Sequence, residues 1–412
     1  MAVTTLRKAE RDDKRELILA EASAQFNEHG FHDVRLEDIA EALDATKASI
    51  SYHFDSKGAL LEAAYMRTCD LLDGFIDSAR EETGGIAQAG TWIRQVGQMQ
   101  SQAQINARAQ PAILNDLNAL GEPAHNRVAA RIAAQLEAIE KFLSSASSQG
   151  SSRGATLLLW TMPAWIGPWL AAIPARRHER QIEALVRLLR DGIAKGSEAM
   201  DPPSLQLSNG TTDLLFNREE RNRLKRDAFE RAGIRSFNQR GYAGFSLNAL
   251  ADDLGVSRGT FYYTFADKDE LLESCARRSH ARILAILDSI DAAPGPVLPR
   301  IEAGLAKLYS EHVSNLEPML RACIYTSLPS AREAIAEAEW QGIAARMARL
   351  LAESSEEGSR RETQVEKLEL LILAALRNIT VSAGLVGTMG GNPFSTVAAT
   401  DYFAPFFRGI ST

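Results

Sequence analysis

An internal repeat divides this 412-residue chain into two similar halves. When the sequence is shifted by 211 positions, residues 26–62 align without a gap with residues 237–273, and 12 of the 37 aligned residues are identical. Chance would give about two matches at average residue frequencies. The segments that follow the two copies also agree in length, at about 140 residues each. This period is far longer than that of a solenoid repeat, so the sequence indicates a duplicated domain.

Helical periodicity runs through both halves. Apolar residues recur at helical spacing at Leu17, Ala20 and Ala24, and again over residues 368–375, whereas no sustained two-residue alternation of β-branched residues occurs. The pattern predicts an all-α fold. A stretch rich in Pro, Ser, Asn and Gly, residues 201–213, has the composition of a linker and separates the two halves into complete units at 1–200 and 214–412.

Each copy of the repeat reads as a helix, a tight turn and a second short helix. In the second copy, residues 247–254 predict a short amphipathic helix, and Gly255 follows where a helix end favours a left-handed residue. Ser257 is placed to cap the next helix, residues 258–264, which is polar on one side. This is a helix-turn-helix whose second helix offers hydrogen-bond donors to a major groove.

The string LADDLGVSRGTFYYTFADKDELL, with its counterpart in the first copy, resembles the DNA-binding domain of the TetR family of transcriptional regulators. The resemblance covers about 50 residues in each copy. It implies two tandem units, each a three-helix DNA-binding domain followed by a helical ligand-binding and dimerisation domain. We therefore predict these boundaries: DNA-binding domains at 1–64 and 217–275, regulatory domains at 65–200 and 276–412, and a linker at 201–216.

The resemblance also implies which residues contact DNA. Residues of the second helix of each motif match positions that reach bases or phosphates, and one lysine per copy opens the following helix, where aligned N–H dipoles and a cation suit a phosphate. The candidates in the first copy are Lys47, Ser49, Tyr52, His53 and Lys57. The candidates in the second copy are Arg258, Thr260, Tyr262, Tyr263 and Lys268.

The first copy departs from the pattern of the family. Asp44 stands in place of the turn glycine, Ala48 in place of the second glycine, and Ser51 in place of the first tyrosine. Acidic residues crowd this motif, and the segment before it is less basic than the segment 218–240 that precedes the second motif. We therefore expect the second motif to bind DNA more strongly than the first, which is weaker or reads a different sequence.

Two interpretations fit the aromatic residues of the helical bodies. Trp160, Trp165 and Trp169, and the C-terminal segment 402–407, form either the wall of a ligand pocket or a core or subunit interface, and the interface is favoured because the last two helices pair subunits in the family. The candidate ligand-binding residues are Trp92, Met99, Trp165, Met319 and Tyr325. They predict a small apolar or aromatic effector.

Composition and motifs argue against other classes of protein. The net charge of −7 means that any binding of double-stranded DNA must come from local patches. The scattered histidines and three separated cysteines form no catalytic or metal-binding motif, so we predict no enzyme activity, no metal and no cofactor. The absence of a membrane-spanning run or a leader pattern, together with the odd cysteine count, predicts a cytoplasmic protein that does not bind membranes.

Duplication predicts how the chain binds DNA. Because 25 of the 37 aligned positions differ, including Lys47 against Arg258 and Ser51 against Tyr262, the two halves should pair within one chain and read an asymmetric operator. The alternative assembly is a homodimer of fused chains with four motifs. The expected function is a repressor released by a small molecule; the alternative is a DNA-binding protein that is ligand-independent or controlled by another protein.

Overall fold

A computed structural model describes residues 2–106, 110–146, 153–195, 218–380 and 399–410. Helices dominate these ranges, and the only β-type pairing among them is one bridge between Ala194 and Arg360. The helices of the first half are α1 Ala2–His29, α2 Leu36–Ala42, α3 Lys47–His53, α4 Lys57–Arg80, α5 Gly85–Ile105, α6 Glu122–Ala146, α7 Arg153–Trp160, α8 Met162–Ala171 and α9 His178–Asp191. The helices of the second half are α10 Arg218–Arg240, α11 Leu247–Asp253, α12 Arg258–Thr264, α13 Lys268–Ala292, α14 Val297–Val313, α15 Ser330–Glu356, α16 Leu368–Arg377 and α17 Ala399–Phe407.

This architecture confirms the all-α prediction and the order of elements in the repeat. Helices α1–α3 correspond to α10–α12, and α12 has the predicted bounds. The proposed linker, 201–216, lies outside the described residues, so the domain boundaries stay predictions.

Local capping explains where the short helices begin. The Ser257 hydroxyl accepts a hydrogen bond from the Thr260 amide at 3.3 Å, as the sequence predicts, and Thr46 does the same for Ser49 at 3.2 Å in the first copy. Phe54 and Phe265, which follow α3 and α12, are almost fully buried. Phe54 thus anchors the end of α3, and Phe265 the end of α12, to the core of the same domain.

One apolar core is shared by the two halves. It runs from the first DNA-binding domain through α4–α9 into α14–α17, whereas the second DNA-binding domain has a separate core. Helix α17 packs against α7, and α16 packs against α8. Because each half contributes apolar side chains to the same core, neither half buries this surface alone.

The tryptophans of α8 lie at the contact between the halves. The Trp165 ring meets Phe406 of α17 edge-on, with ring centroids 5.8 Å apart. The Trp169 indole N–H donates to the Glu366 carbonyl at 2.8 Å. These contacts agree with the favoured interface interpretation of the aromatic residues and place the C-terminal segment 402–407 in the same contact.

Polar contacts also cross between the halves. The Arg321 guanidinium forms a buried ion pair with Asp116, with Nη1 and Oδ1 2.7 Å apart. The burial desolvates both side chains, and the paired Arg321 charge holds the pKa of Asp116 below its usual value. Removing one partner of such a pair leaves an uncompensated buried charge, at a typical cost of about 3–5 kcal/mol.

Glycine 154 tests the close packing between the halves. A Cβ atom at Gly154 in α7 would lie 2.4 Å from the Asp401 carbonyl carbon in α17, so Gly154→Ala forces the two helices apart. We expect a loss of about 1–3 kcal/mol in the free energy of unfolding, measured by urea denaturation.

The control is Gly74→Ala in α4, where a Cβ atom meets nothing within 4 Å. Alanine favours the helix over glycine, so this variant should be about 0.5–1 kcal/mol more stable than the parent protein. Equal stability of the two variants would contradict the packing of α7 on α17.

Candidate nucleic-acid interface

The second helices of the two motifs, α3 and α12, present exposed aromatic side chains. Tyr52 is 75% exposed, Tyr262 58% and Tyr263 70%. Tyr52 and Tyr263 occupy matching positions of the repeat. Large aromatic side chains are normally buried for their apolar area, so exposure of three on these short helices is typical of a surface that binds a partner. Ile50 and Phe261 face inward in the same helices and are buried, which fixes the orientation of each exposed face.

The remaining candidates lie on or beside the same faces. Lys47 and Arg258 are exposed at the first position of each helix, and Ser49, His53 and Thr260 are half-buried. The Thr260 hydroxyl lies 3.0 Å from the Ser257 hydroxyl, and the His53 ring meets Tyr52 edge-on at 5.2 Å. The structure therefore brings the predicted contact residues of each motif together on one helix.

The tight turn has the same backbone conformation in both copies. Gly255 has φ 63° and Asp44 has φ 50°, so both residues are left-handed. The sequence prediction for this turn is confirmed. A left-handed conformation is strained for a residue with a Cβ atom, and aspartate tolerates it better than most. The first motif therefore keeps the geometry of the second at some cost in stability.

An ion pair distinguishes α3 from α12, the second helices of the two motifs, which we call the reading helices. Lys47 Nζ in α3 lies 2.8 Å from Glu37 Oε1 in α2, and this hydrogen bond lowers the pKa of Glu37. The corresponding pair in the second copy is Arg258 and Asn248, which carries no charge. Within the described residues, Arg258 forms no ion pair. The Lys47 ammonium group is therefore paired with a carboxylate, whereas the Arg258 guanidinium has no such partner among the described residues.

Lys57 and Lys268 direct their ammonium groups toward their own domains. Lys57 Nζ donates to the carbonyls of Phe31 and Val34, each at 2.8 Å, and Lys268 Nζ donates to the Tyr242 carbonyl at 2.8 Å. Burial lowers the pKa of both lysines, and Asp33 opposes that shift in both. In this conformation both lysines secure the loop that precedes the motif. Lys57 Nζ is within hydrogen-bond distance of three carbonyls, whereas Lys268 Nζ bonds one carbonyl and an ammonium group has three donors.

The loops that precede the two motifs touch each other. The Asp33 carboxylate in the first domain accepts hydrogen bonds from the backbone amides of Tyr242, at 2.9 Å, and Ala243 in the second domain. Ser327 donates to the same carboxylate at 3.4 Å. Gly241 has φ 66°, and a Cβ atom there would lie 2.8 Å from the Cβ of His32. We call Asp33 with these amides the interdomain clamp; it fixes the position of one motif relative to the other.

Four of the five candidate ligand-binding residues are core residues instead. Trp92 and Trp165 are buried, and their indole N–H groups donate to the carbonyls of Leu159, at 3.0 Å, and Leu158, at 3.2 Å. Met99 and Met319 are also buried. None of these four lines any of the described cavities, because their side chains fill the interior between helices.

Tyr325 is the exception. It lines a cleft of about 380 Å³ between α13, α15 and α16, together with His280, Trp340 and Arg377. Its ring stacks on His280 with centroids 5.4 Å apart, and burial raises its pKa to about 12. The Tyr325 hydroxyl forms a hydrogen bond with the buried Ser279, so the ring of Tyr325 contributes to the wall of the cleft.

Comparison with known proteins agrees with this geometry. A sequence profile described as bacterial regulatory proteins of the tetR family matches residues 18–64 and 231–275. These ranges contain the helix-turn-helix of each copy. One segment in each copy of the repeat therefore matches the tetR-family profile.

Similarity to individual proteins is confined to part of each. The chain is 35% identical over 81 residues to the HTH-type transcriptional regulator RutR of Escherichia coli strain K12, which covers 20% of this chain and 38% of RutR. It is 37% identical over 59 residues to IcaR of Staphylococcus aureus strain Newman, a negative transcriptional regulator of the biofilm operon icaADBC, covering 14% and 32%. The chain thus spans less than two-fifths of either relative.

The sequence alone does not reveal the contacts of two residues of this interface, Asp33 and Glu37. Asp33 contacts residues more than 200 positions away, and no local pattern marks it. Glu37 belongs to an acidic flank that the sequence shows, but its pairing with Lys47 depends on how α2 crosses α3.

Among the described residues, no cluster could hold a metal ion, and no helix is long and apolar enough to cross a membrane.

The left-handed turn yields a reciprocal prediction. Asp44→Gly relieves backbone strain and should stabilise the first motif by about 0.5–1 kcal/mol, whereas Gly255→Asp should destabilise the second by a similar amount. Amide hydrogen exchange followed by mass spectrometry reports each domain separately. Opposite changes in protection of α2–α3 and α11–α12 are expected; the same direction in both would contradict the shared turn.

Proposed function

We propose that this protein is a sequence-specific transcriptional regulator in which a single chain presents both helix-turn-helix motifs to one operator. The observation that carries the proposal is the presence of two tetR-family DNA-binding domains with exposed reading helices, joined by the interdomain clamp. A homodimer achieves such an arrangement with two identical chains. Here the shared core between the halves replaces the interface between subunits.

The operator of such a pseudo-dimer is asymmetric. Arg258 is a bidentate donor suited to guanine, whereas Lys47 at the same position is a point charge paired with Glu37. Tyr262 is opposite Ser51 in the alignment, so the second motif also offers the larger apolar contact. The second motif therefore contributes more affinity, and each motif reads its own half-site.

Regulation follows from the fixed geometry. Two reading helices fit successive major grooves at a separation of about 34–36 Å or its multiples. A ligand that favours another arrangement of the helical bodies lowers the affinity for DNA by shifting the population. Repression is supported by IcaR, whose name describes a negative regulator.

In vitro selection from a random DNA library tests the proposal with a defined probe. The full chain should enrich a sequence with two unlike half-sites at one spacing. Operators are then rebuilt as perfect palindromes of each half-site, and binding is measured by fluorescence anisotropy. Both palindromes should bind at least tenfold more weakly than the selected sequence. Binding to either palindrome as tight as to the selected sequence, or enrichment of a single half-site, would contradict an asymmetric operator.

The Glu37–Lys47 ion pair predicts a gain of function. Glu37→Asn releases Lys47 and removes a negative charge from the DNA side, so affinity for the selected operator should rise about three- to tenfold, with a steeper dependence on salt. The reciprocal change Asn248→Glu gives Arg258 a competitor and should lower affinity by a similar factor.

Stability separates these effects from folding. An exposed ion pair contributes little to the free energy of unfolding, so both variants should unfold close to the parent midpoint. Unchanged affinity for both variants at low salt would show that Lys47 and Arg258 do not contact DNA.

The interdomain clamp predicts how the chain selects operator spacing. Asp33→Ala removes the acceptor for the amides of Tyr242 and Ala243, so the two motifs gain freedom to move. Affinity for the selected operator should fall several-fold, and operators with one base pair inserted between half-sites should lose less than they do with the parent protein.

The control is Asp55→Ala, an exposed acidic residue of the same domain. By charge alone, removal of either carboxylate favours DNA binding. A rise in affinity for both variants would therefore show that Asp33 does not position the motifs.

A further inference from the structure

A small cavity lies between the two halves of the chain, next to the first DNA-binding domain. It measures about 180 Å³, and it is lined from the first half by α1, α8 and the segment between α5 and α6, and from the second half by the start of the 3₁₀ helix Ala322–Ser327 and by the end of α16. The cavity adjoins the 380 Å³ cleft that Tyr325 lines, since Ala322 and Arg377 line both.

The charged residues that line the small cavity are two arginines, Arg321 and Arg377, without an acidic lining residue. Arg321 is 8% exposed and uses Nη1 for Asp116, at 2.7 Å, and for the Asn238 carbonyl, at 2.8 Å. Its other terminal nitrogen, Nη2, is buried and has no hydrogen-bond partner among the described residues. A buried donor without a partner is costly, and a bound acceptor would remove that cost.

Arg377 has a complementary deficit. Within the described part of the chain it forms no ion pair, and its guanidinium lies 4.7 Å from the centroid of the Trp340 ring. Burial lowers the pKa of Arg377, with Tyr325 and Glu337 opposing the shift. The arginine thus has lost hydration without gaining a close carboxylate, which is an arrangement that an anionic ligand would stabilise.

We propose that these two cavities form one binding site for a small aromatic carboxylic acid. The carboxylate binds between Arg321 and Arg377, because planar guanidinium groups match a carboxylate with two parallel hydrogen bonds. The ring extends past Ala322 to Tyr325 and Trp340 in the wider cleft. Glu333 and Glu337 line that cleft, so the ligand carries one acidic group and a neutral remainder.

Binding at this site would act on the contact between the halves. The small cavity is lined by Asn27 of α1, whose amide donates to the Pro111 carbonyl at 2.8 Å, and by Arg321, which joins the halves through Asp116. A ligand here contacts α1 of the first DNA-binding domain and Arg321, which bonds the Asn238 carbonyl of the second. That it controls DNA binding rests on the proposed function above; that it binds does not.

Isothermal titration of the full chain with benzoate and with benzamide tests the site. The two ligands share size and shape and differ in charge, so benzoate should bind at least tenfold more tightly than benzamide. Arg377→Gln should weaken benzoate at least tenfold and leave benzamide unchanged, whereas Arg377→Lys should retain part of the affinity. Arg94→Gln, at an arginine that lines a separate cavity, should bind benzoate as the parent protein does.

The outcomes separate the binding site from its control of DNA. Equal affinity for the two ligands, no binding of either at millimolar concentration, or full affinity in Arg377→Gln would overturn the site; the ligand comparison needs no variant, so it holds even if Arg377→Gln does not fold. Benzoate that binds without changing affinity for the selected DNA would overturn its regulatory role alone. A chain that binds benzoate and selects no DNA would instead refute the proposed function.

Discussion

The apolar contact between the two halves determines the rest of this structure. Helices α16 and α17 of the second half complete a core that α7 and α8 of the first half leave open, and Trp165 packs on Phe406 at its centre. Because apolar burial drives association, the two halves of the chain pack against each other through this core. Two polar contacts then set the orientation of one half relative to the other: Asp33 with the backbone amides of the second domain, and Asp116 with Arg321. Hydrogen bonds and ion pairs are directional, whereas apolar packing is not.

That orientation links the bodies to the reading helices. The buried ion pair with Asp116 ties Arg321 of the second half to the first half. The Asp116 carboxylate also accepts a hydrogen bond from the Phe31 amide, at 3.1 Å. Phe31 lies in the loop next to Asp33, which holds the second domain through Tyr242 and Ala243. A change at the contact between the bodies therefore has a short covalent and hydrogen-bonded route to the spacing of the motifs.

Sequence reasoning succeeded where the determinant is local and failed where it is distant. The turn at Gly255 and the cap at Ser257 each depend on neighbours within a few residues, and both were predicted. The burial of Trp92 and Trp165 could not be read in this way, because their composition also suits a pocket wall and only their packing shows that they fill the core. Arg321 and Asp116, 205 positions apart, have no signal in a single sequence.

Divergence of the two copies has a physical logic within one chain. A homodimer must place the same residue at both half-sites, whereas here Glu37 pairs with Lys47 in the first copy and Asn248, at the same position of the second copy, carries no charge. The left-handed Asp44 is a second difference between the copies. Its strain lowers the stability of one domain only, in a chain that the shared core already holds together. Unequal domains are thus compatible with a single stable fold.

The number of chains per operator tests the central claim most directly. Size-exclusion chromatography with multi-angle light scattering, run on the full chain with its selected DNA, gives that number without labels. The account predicts one chain per DNA, with binding lost on Arg258→Ala and weakened on Lys47→Ala. Two chains per DNA, or indifference to Lys47→Ala, would contradict a pseudo-dimer that reads with both of its motifs.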